Sequence, residues 1–246
     1  MTRLRLDEAV VAAGLAPTRA KAQALILAGE IAVDGKPGTK PGHAVPPNAK
    51  IDLAKIGPRY VSRGGHKLAG ALDHFGIDPK GFRCLDVGAS TGGFTDCLLQ
   101  RGAAHVIAVD VGTGQMDQKI RNHPKVTSFE SLHARDLTTE IVPIPVDLAV
   151  VDVSFISLTK VLPFVVPFIR AKGLLLALVK PQFEASRKDV PKGVLRDENR
   201  RQEILAKMLA FVRDELRLTD PRSADAVLKG PKGNQEAFIF AKKTET

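Results

Sequence analysis

The stretch that decides the fold is Arg83-Cys84-Leu85-Asp86-Val87-Gly88-Ala89-Ser90-Thr91-Gly92-Gly93-Phe94. Its first five residues predict a short buried strand, Arg83–Val87, and the residues from Gly93 to Arg101 predict a helix. Glycines at such a strand-to-helix turn let the backbone approach a ligand and aim the helix N-terminus at it. The spacing is G-x-x-x-G-G, which is neither the dinucleotide pattern G-x-G-x-x-G nor a P-loop, since no Gly-Lys-Ser/Thr follows. Gly112-Thr113-Gly114 begins a G-x-G look-alike, but after the second strand.

On both sides of this turn, strand and helix patterns alternate. Further strands are expected at Val106–Asp110, Val126–Phe129, Asp147–Asp152, Leu174–Val179, Asp220–Leu228 and Ala237–Ala241. Helices are expected at Met116–Asn122, at Leu158–Ile169 with interruptions at Pro163 and Pro167, and at Asp197–Arg217. Ser62 is an N-cap candidate for a helix whose apolar residues Leu68, Leu72 and Phe75 share one face. Apolar strands between helices imply an α/β, doubly wound, mainly parallel sheet, here of seven strands.

Asp86 before the glycine turn and Asp110 closing the next strand resemble the S-adenosylmethionine-binding sheet of class I methyltransferases, with its Rossmann-like fold. The resemblance implies S-adenosylmethionine as cofactor, held by Asp86, Gly88, Ala89, Ser90, Gly92, Gly93, Phe94, Asp110, Val111 and Asp136. In it the Asp110 carboxylate accepts the cofactor's ribose hydroxyls and Asp136 receives the adenine amino group, both suited to a charged acceptor.

Four ionisable residues stand where an ordinary sheet would not put them. Lys67 lies on the leading helix, Asp152 and Lys180 close strands, and Glu236 opens the last one. Strand ends on the carboxyl side border the ligand crevice of such sheets. The order Lys, Asp, Lys, Glu resembles the tetrad of FtsJ-like ribose 2′-O-methyltransferases. Residues 61–68 (Val-Ser-Arg-Gly-Gly-His-Lys-Leu), the glycine turn, Asp110-Val-Gly-x-Gly-Gln, Asp152-x-Ser-Phe-Ile-Ser-Leu and Val179-Lys-Pro-Gln-Phe-Glu together look like the TlyA family. Many of its members are also labelled hemolysins. That resemblance implies methylation of a cytidine ribose in ribosomal RNA, with Lys180 as proton acceptor, Asp152 and Lys67 holding Lys180 and the hydroxyl, and Glu236 orienting. The compact ends look more like the family's shorter form, which acts on the large subunit.

The N-terminal segment reads as a unit of its own. Leu6–Val11 is a short helix closed by Gly14; Thr18 caps a second helix, Arg19–Ala28, ended by Gly29. Ile31-Ala-Val-Asp34-Gly35 is a strand entering an Asp-Gly turn, Pro37–Pro47 reads as loop, and Ile51–Leu53 as a returning strand. Arg5-Leu6-Asp7, Thr18-Arg19-x-x-Ala22, Leu25-Ile26-x-x-Gly29 and Val33-Asp34-Gly35 resemble the α+β S4 RNA-binding domain. The organisation expected is an S4-like domain over 1–55, a linker over 56–61 and the methyltransferase domain over 62–246. The resemblance puts Arg5, Arg19, Lys21 and Lys36 on RNA phosphates, with Arg63 beside them.

The balance of charge agrees. The 246 residues carry +9 at pH 7, of which the first 62 hold +4, much the denser share. Such an excess calls for an anionic partner, and structured ribosomal RNA or a ribosomal subunit fits it. With no tryptophan and one tyrosine there is little material for stacking bases, which favours phosphate and shape recognition of folded RNA. Cys84 and Cys97 read as buried small hydrophobes in a reducing cytoplasm, and no ligand spacing marks a metal site. The sequence shows no signal segment and no apolar run long enough to span a bilayer, so no membrane role is expected. Two rival readings are a non-catalytic RNA-binding or ribosome-assembly factor and a membrane-active hemolysin. A base methyltransferase would present an Asn/Asp-Pro-Pro-aromatic loop or a cysteine where Asp152-Val-Ser-Phe stands.

Overall fold

The strand before the glycine turn is the middle of a sheet. The computed structural model describes residues 4–27, 31–37, 40–53 and 60–245, and the chain divides between Arg63 and Gly64 into two compact units.

In the first unit β1 (Leu4–Arg5) runs directly into α1 (Leu6–Ala12), and Gly14 takes a φ of +72° just beyond it. α2 (Arg19–Leu27) is capped as its sequence predicts, the Thr18 hydroxyl accepting from the Lys21 amide at 3.2 Å. β2 (Ile31–Val33), β3 (Lys36–Pro37) and, further on, β5 (Ile51–Leu53) form a three-stranded antiparallel sheet. Asp34 and Gly35, with φ of +50° and +77°, make the β2–β3 turn, and the Asp34 carboxylate ties it to the Lys50 amide at 2.9 Å. Leu6, Val10, Ala22, Ile26, Ile31 and Val45 fill the core between helices and sheet. The expected Pro37–Pro47 loop contains β4 (Ala44–Val45), which pairs with β1; strands of two residues are too short to show a period. The expected end of the second helix at Ala28–Gly29 and residues 56–59 of the linker lie outside the described residues.

α3 (Arg63–Phe75) opens the second unit, followed by β6 (Arg83–Val87), α4 (Gly93–Gln100), β7 (His105–Val109), α5 (Gln118–Arg121), β8 (Val126–Phe129), β9 (Val146–Val151), α6 (Leu162–Val165), β10 (Ile169–Val179), α7 (Pro181–Glu184), α8 (Glu198–Asp214), β11 (Thr219–Asp225) and β12 (Ala237–Lys242). The seven strands lie in the order β11-β12-β10-β9-β6-β7-β8. β10, β9, β6, β7 and β8 are mutually parallel, and β12 runs antiparallel to both of its neighbours. The order reverses between β6 and β9, so a crevice is expected beyond the carboxyl ends of these two strands.

Period-two alternation sorts the side chains between two layers. Leu85, Val87, Val109, Val151, Leu175, Val179 and Ile239 face α6 and α8, whose Leu162, Val165, Ile204, Leu205, Met208 and Val212 complete that core. On the other face Phe94 of α4 stacks on Phe238 at 5.9 Å and Phe75 of α3 on Phe240 at 5.2 Å.

Several boundaries differ from expectation. The helix expected at Leu158–Ile169 is one α-turn, Leu162–Val165, between two 3-10 turns, because Pro163 and Pro167 lack the amide that would continue it. Ile169 instead begins β10, with a register shift before Leu174. α5 and α8 are shorter than expected and start behind Asp117 and Asp197, which accept from Lys119 N at 2.8 Å and Arg200 N at 3.1 Å. β7 and β9 end one residue early, leaving Asp110 and Asp152 just beyond the ladder.

Candidate active site

At Gly88 the turn after β6 has room for backbone alone. Gly88 has a φ of +86°, and a Cβ there would run into the carbonyl oxygen of Asp152. Gly88 N and Ala89 N both donate to Val109 O, at 2.9 and 3.2 Å, while Asp152 N donates to Val87 O at 2.9 Å. The ends of β6, β7 and β9 are thereby drawn together. Gly92, at φ +91°, then turns the chain into α4.

Asp110 sits in this cluster as a carboxylate held by two backbone amides. Oδ2 accepts from Ser90 N and Oδ1 from Gly112 N, each at 2.7 Å. The two amides fix its plane and leave further lone pairs on both oxygens. Gln115 closes over the same loop, its side chain 3.1 Å from the Ser90 hydroxyl. Beside these residues opens a cavity of about 690 Å³, walled by Gly88, Ser90, Asp110, Val111 and Gln115 on one side and by Leu132–Arg135 on another. Asp152, Val153, Ser154, Phe155, Ile156, Phe164 and the cation Lys160 are also part of its lining. Val111, Phe155, Ile156 and Phe164 are large apolar side chains left in contact with solvent, Phe155 to 90%. A cavity with a preset carboxylate at one end and apolar walls fits a nucleoside, whose ribose hydroxyls need an acceptor and whose base needs flat apolar contact.

The four residues expected to react resolve into two ion pairs. Lys180 Nζ lies 2.6 Å from Asp152 Oδ1 and donates to Ser154 Oγ at 2.8 Å. Lys67 Nζ lies 2.5 Å from Glu236 Oε2, with side-chain exposures of 9% and 1%. Val179 pairs with Ala237 in the ladder, so Lys180 and Glu236 occupy the next rung at the carboxyl end of the sheet. Lys67 reaches that rung from α3, and Gly230 makes room, since a Cβ on it would collide with Glu236 Oε1. Lys67 is therefore held by Glu236, and Ser154 joins Asp152 as the partner of Lys180.

Other expected residues are placed differently. Asp86 does not reach the cavity wall: it is fully buried beneath the turn, accepting from Thr95 Oγ1 at 2.6 Å. Burial, opposed by that hydrogen bond and reinforced by Asp152 and Asp110, pushes its carboxyl up to about 7. Phe94 is in the core against Phe238, and Ala89, Gly92 and Gly93 shape the turn without lining the cavity. Asp136 is also off the wall, with Arg135 Nε 3.7 Å away; the neighbouring Ala134 and Arg135 take the wall position.

The raised Asp86 carboxyl has a consequence for pH. Unfolded, the group ionises near 4, whereas folded it holds its proton to about 7. Folding therefore retains a proton that the unfolded chain has released, and this contribution to stability declines as pH rises from about 4 to about 7. Asp86→Asn, which keeps an oxygen for Thr95, is expected to gain stability relative to the parent between pH 5 and pH 8, by on the order of 3 kcal/mol. Urea unfolding of both proteins at the two pH values measures it; parallel pH profiles would show that Asp86 does not titrate this way.

In the first unit, buried Asp7 gathers the basic residues. Arg5 Nε and Nη2 donate to its two oxygens at 3.1 and 3.0 Å, Arg19 Nη2 at 3.2 Å and Gln23 Nε2 at 2.8 Å. The adjacent guanidinium of Arg5 holds this carboxyl well below the usual carboxylate range. Arg5 and Arg19 are thus tethered at their inner edge while about half of each side chain, 47% and 52%, stays exposed. Lys21 is exposed, Arg63 opens α3 half-buried, and the side chain of Lys36 lies outside the described residues.

In residues 187–201, which follow β10 and α7, Arg200 pairs with Asp189 and Glu203, and Arg201 with Glu198 and Asp225. Lys188, Lys192 and Arg196 are exposed. Buried Asn234 ties this loop down, accepting from Leu195 N and donating to Gly193 O, both at 2.9 Å. Sequence reading did not single out Ser154, Phe155, Ile156 or Gln115. The first three lie in the quoted Asp152-x-Ser-Phe-Ile motif and Gln115 closes the quoted Asp110-Val-Gly-x-Gly-Gln motif, so the motifs themselves were the available signal.

Comparison with known proteins follows the same division. Residues 60–243 match the family model of the FtsJ-like methyltransferases and residues 4–51 that of the S4 domain. The chain is 45% identical over 247 residues to a protein of Mycobacterium tuberculosis named 16S/23S rRNA (cytidine-2′-O)-methyltransferase TlyA, covering 99% of this chain and 91% of that one. It is 41% identical to Hemolysin A of Brachyspira hyodysenteriae, covering 95% and 97%. The solved structure of a Streptococcus thermophilus protein provisionally called a hemolysin superposes with a TM-score of 0.76 at 35% identity, covering 100% of this chain and 90% of that one.

Proposed function

The chain belongs to the FtsJ-like methyltransferase family, with an S4 domain before the catalytic one, and from that membership we propose that it methylates the ribose 2′-oxygen of a cytidine in ribosomal RNA, using S-adenosylmethionine. The observation that carries the reading is Lys180, held between Asp152 and Ser154 beside a cavity with a preset carboxylate.

S-adenosylmethionine supplies a methyl group on a sulfonium, which leaves as a thioether when an oxygen attacks. Asp110 is the acceptor for ribose hydroxyls, and Val111, Phe155, Ile156 and Phe164 are the apolar contacts for an adenine or the target base. A ribose hydroxyl is a weak nucleophile, so attack in line needs orientation and a proton acceptor. Lys180 is the group placed to take up the hydroxyl proton as the oxygen–carbon bond forms. Asp152, 2.6 Å away, then stabilises the ammonium. Lys67 and Glu236 hold the adjoining rung of the sheet and keep its buried charges balanced. In the S4 domain, Arg5, Arg19, Lys21 and Lys36 are read as contacts for phosphates of folded RNA; Arg63 and the exposed Lys188, Lys192 and Arg196 are read so on the catalytic domain. The S4 domain is read as residues 1–55, the linker as 56–61 and the catalytic domain as 62–246.

Transfer of tritiated methyl from the cofactor to ribosomes, separated subunits and deproteinised RNA tests this directly. A 2′-O-methyl group blocks alkaline cleavage, so the label is expected in alkali-resistant dinucleotides beginning with cytidine. Label in a base, or none on any of the substrates, would exclude the reading. Asp110→Ala is expected to weaken binding of S-adenosylhomocysteine by about 10- to 100-fold, the loss of hydrogen bonds to a charged acceptor. Titration calorimetry measures it, and unchanged affinity would move the ribose site elsewhere.

A further inference from the structure

The two groups proposed to handle the proton stand where strands give way to loops, with the Asp152 amide still bonded to Val87 O at 2.9 Å. β9 stops at Val151 and β10 at Val179, and Asp152 and Lys180 lie just beyond. The loop after Asp152 carries a non-glycine residue in the left-handed region, Phe155 at φ +65°. Such a conformation persists only where its surroundings enforce it. The segment after Lys180 is the single turn α7, far below the length at which a helix stands alone.

Glu184, the last residue of α7, crosses from one loop to the other. Oε1 accepts from the Leu158 amide at 2.8 Å and Oε2 from the Ser157 hydroxyl at 2.5 Å. Ser157 Oγ also accepts from Thr159 N at 3.2 Å and lies 2.8 Å from Thr159 Oγ1. On the same side, the Phe183 ring sits 5.0 Å from that of Phe155. A carboxylate suits this place because it accepts from a backbone amide and a hydroxyl together, and both donors point the same way across the gap. Glu184 takes no part in the proposed proton transfer.

We propose that Glu184 is a positioning residue for methyl transfer: by gripping Ser157 and Leu158 it sets the distance between Lys180 on its own loop and Asp152 and Ser154 on the other. The inference rests on the proposed ribose methylation. Its physical basis is that a displacement of about 1 Å at a reacting group costs on the order of 100-fold in rate. Glu184 touches neither substrate nor cofactor and acts through the two loops.

Glu184→Ala and Glu184→Gln test it in the full-length protein. Glutamine keeps an oxygen for the Leu158 amide and turns an NH₂ toward Ser157 Oγ, whose own hydrogen can turn to Thr159. The alanine variant is expected to lose about 100-fold in kcat, with the KM for RNA unchanged and faster hydrogen exchange at the amides of residues 152–160. The glutamine variant is expected to recover both kcat and amide protection. Full kcat in the alanine variant, with only a lower Tm, would make Glu184 structural and overturn the proposal. So would a glutamine variant as slow as alanine, which would assign the effect to charge, or a loss of kcat without any change in exchange. Should the alanine variant fail to fold, Ser157→Ala removes one of the two bonds and is expected to give an intermediate loss of kcat; full activity there overturns the proposal as well. A parent protein that transfers no methyl group would refute the proposed function, whereas the exchange data judge the grip by themselves.

Discussion

Lys180→Ala is expected to lower methyl transfer at saturating cofactor and RNA by about a thousandfold, the usual scale for removal of a positioned proton acceptor. Lys180 does not line the cavity, so binding of S-adenosylhomocysteine is expected to stay close to that of the parent. The variant also leaves Asp152 with no cation at 2.6 Å and Ser154 without the donor it now accepts at 2.8 Å. Lys180→Arg keeps the charge and is expected to be nearly as slow, because a guanidinium cannot release its proton to become a base. Single-turnover rates with tritiated cofactor, alongside calorimetric titration of the product, separate chemistry from binding. Full incorporation by the alanine variant would remove Lys180 from the reaction.

Lys67→Met is expected to produce the largest change in stability. It strips the partner from Glu236, whose side chain is 1% exposed and whose carboxylate lies 2.5 Å from the lysine nitrogen. Breaking a buried pair from one side costs about 3–5 kcal/mol, because the remaining charge is neither solvated nor paired. Against a typical total of about 5–15 kcal/mol, that is a large share of the stability of the domain. Removing both charges, as in Lys67→Met with Glu236→Gln, is expected to restore most of it. Urea unfolding measures the energies, and methyl transfer by the double variant separates two roles. Recovered stability with transfer still impaired assigns the pair to the reaction; recovery of both assigns it to the fold. A single variant as stable as the parent would show the pair to be solvated.

Much of the catalytic domain was legible because its signals are local. Strand patterns bounded by turn residues located all seven strands, to within a residue at five of them. Gly88 and Gly92 announced backbone conformations that a side chain would strain, and both have φ near +90°. Where a local rule was diluted the reading slipped. Pro163 and Pro167 broke a helix into single turns, and Ile169, read as the end of that helix, started a strand. The two-residue strand Ala44–Val45 offered no period.

The site divides in the same way. Lys67, Asp152, Lys180 and Glu236 were marked by type and by an order that resembles the FtsJ-like tetrad, three of them at strand ends and Lys67 on a helix. Their partners were not: Lys67 and Glu236 are 169 residues apart, and their pairing depends on β12 entering the sheet antiparallel beside β10, with Val179 opposite Ala237. The depth of Asp86, beneath the turn it was expected to serve from the surface, follows from strand parity and from Thr95 on α4. The tether of Arg5 and Arg19 to Asp7 depends on how α1 and α2 pack. The grip of Glu184 on Ser157 and Leu158 joins segments 26 and 27 residues apart. By itself the sequence determined the fold class, the two-part organisation and the residue types available for the chemistry, since periodicity and glycine geometry act over a few neighbouring residues. Only the tertiary structure decided which charge meets which, because that is fixed by strand order, register and burial across the whole sheet.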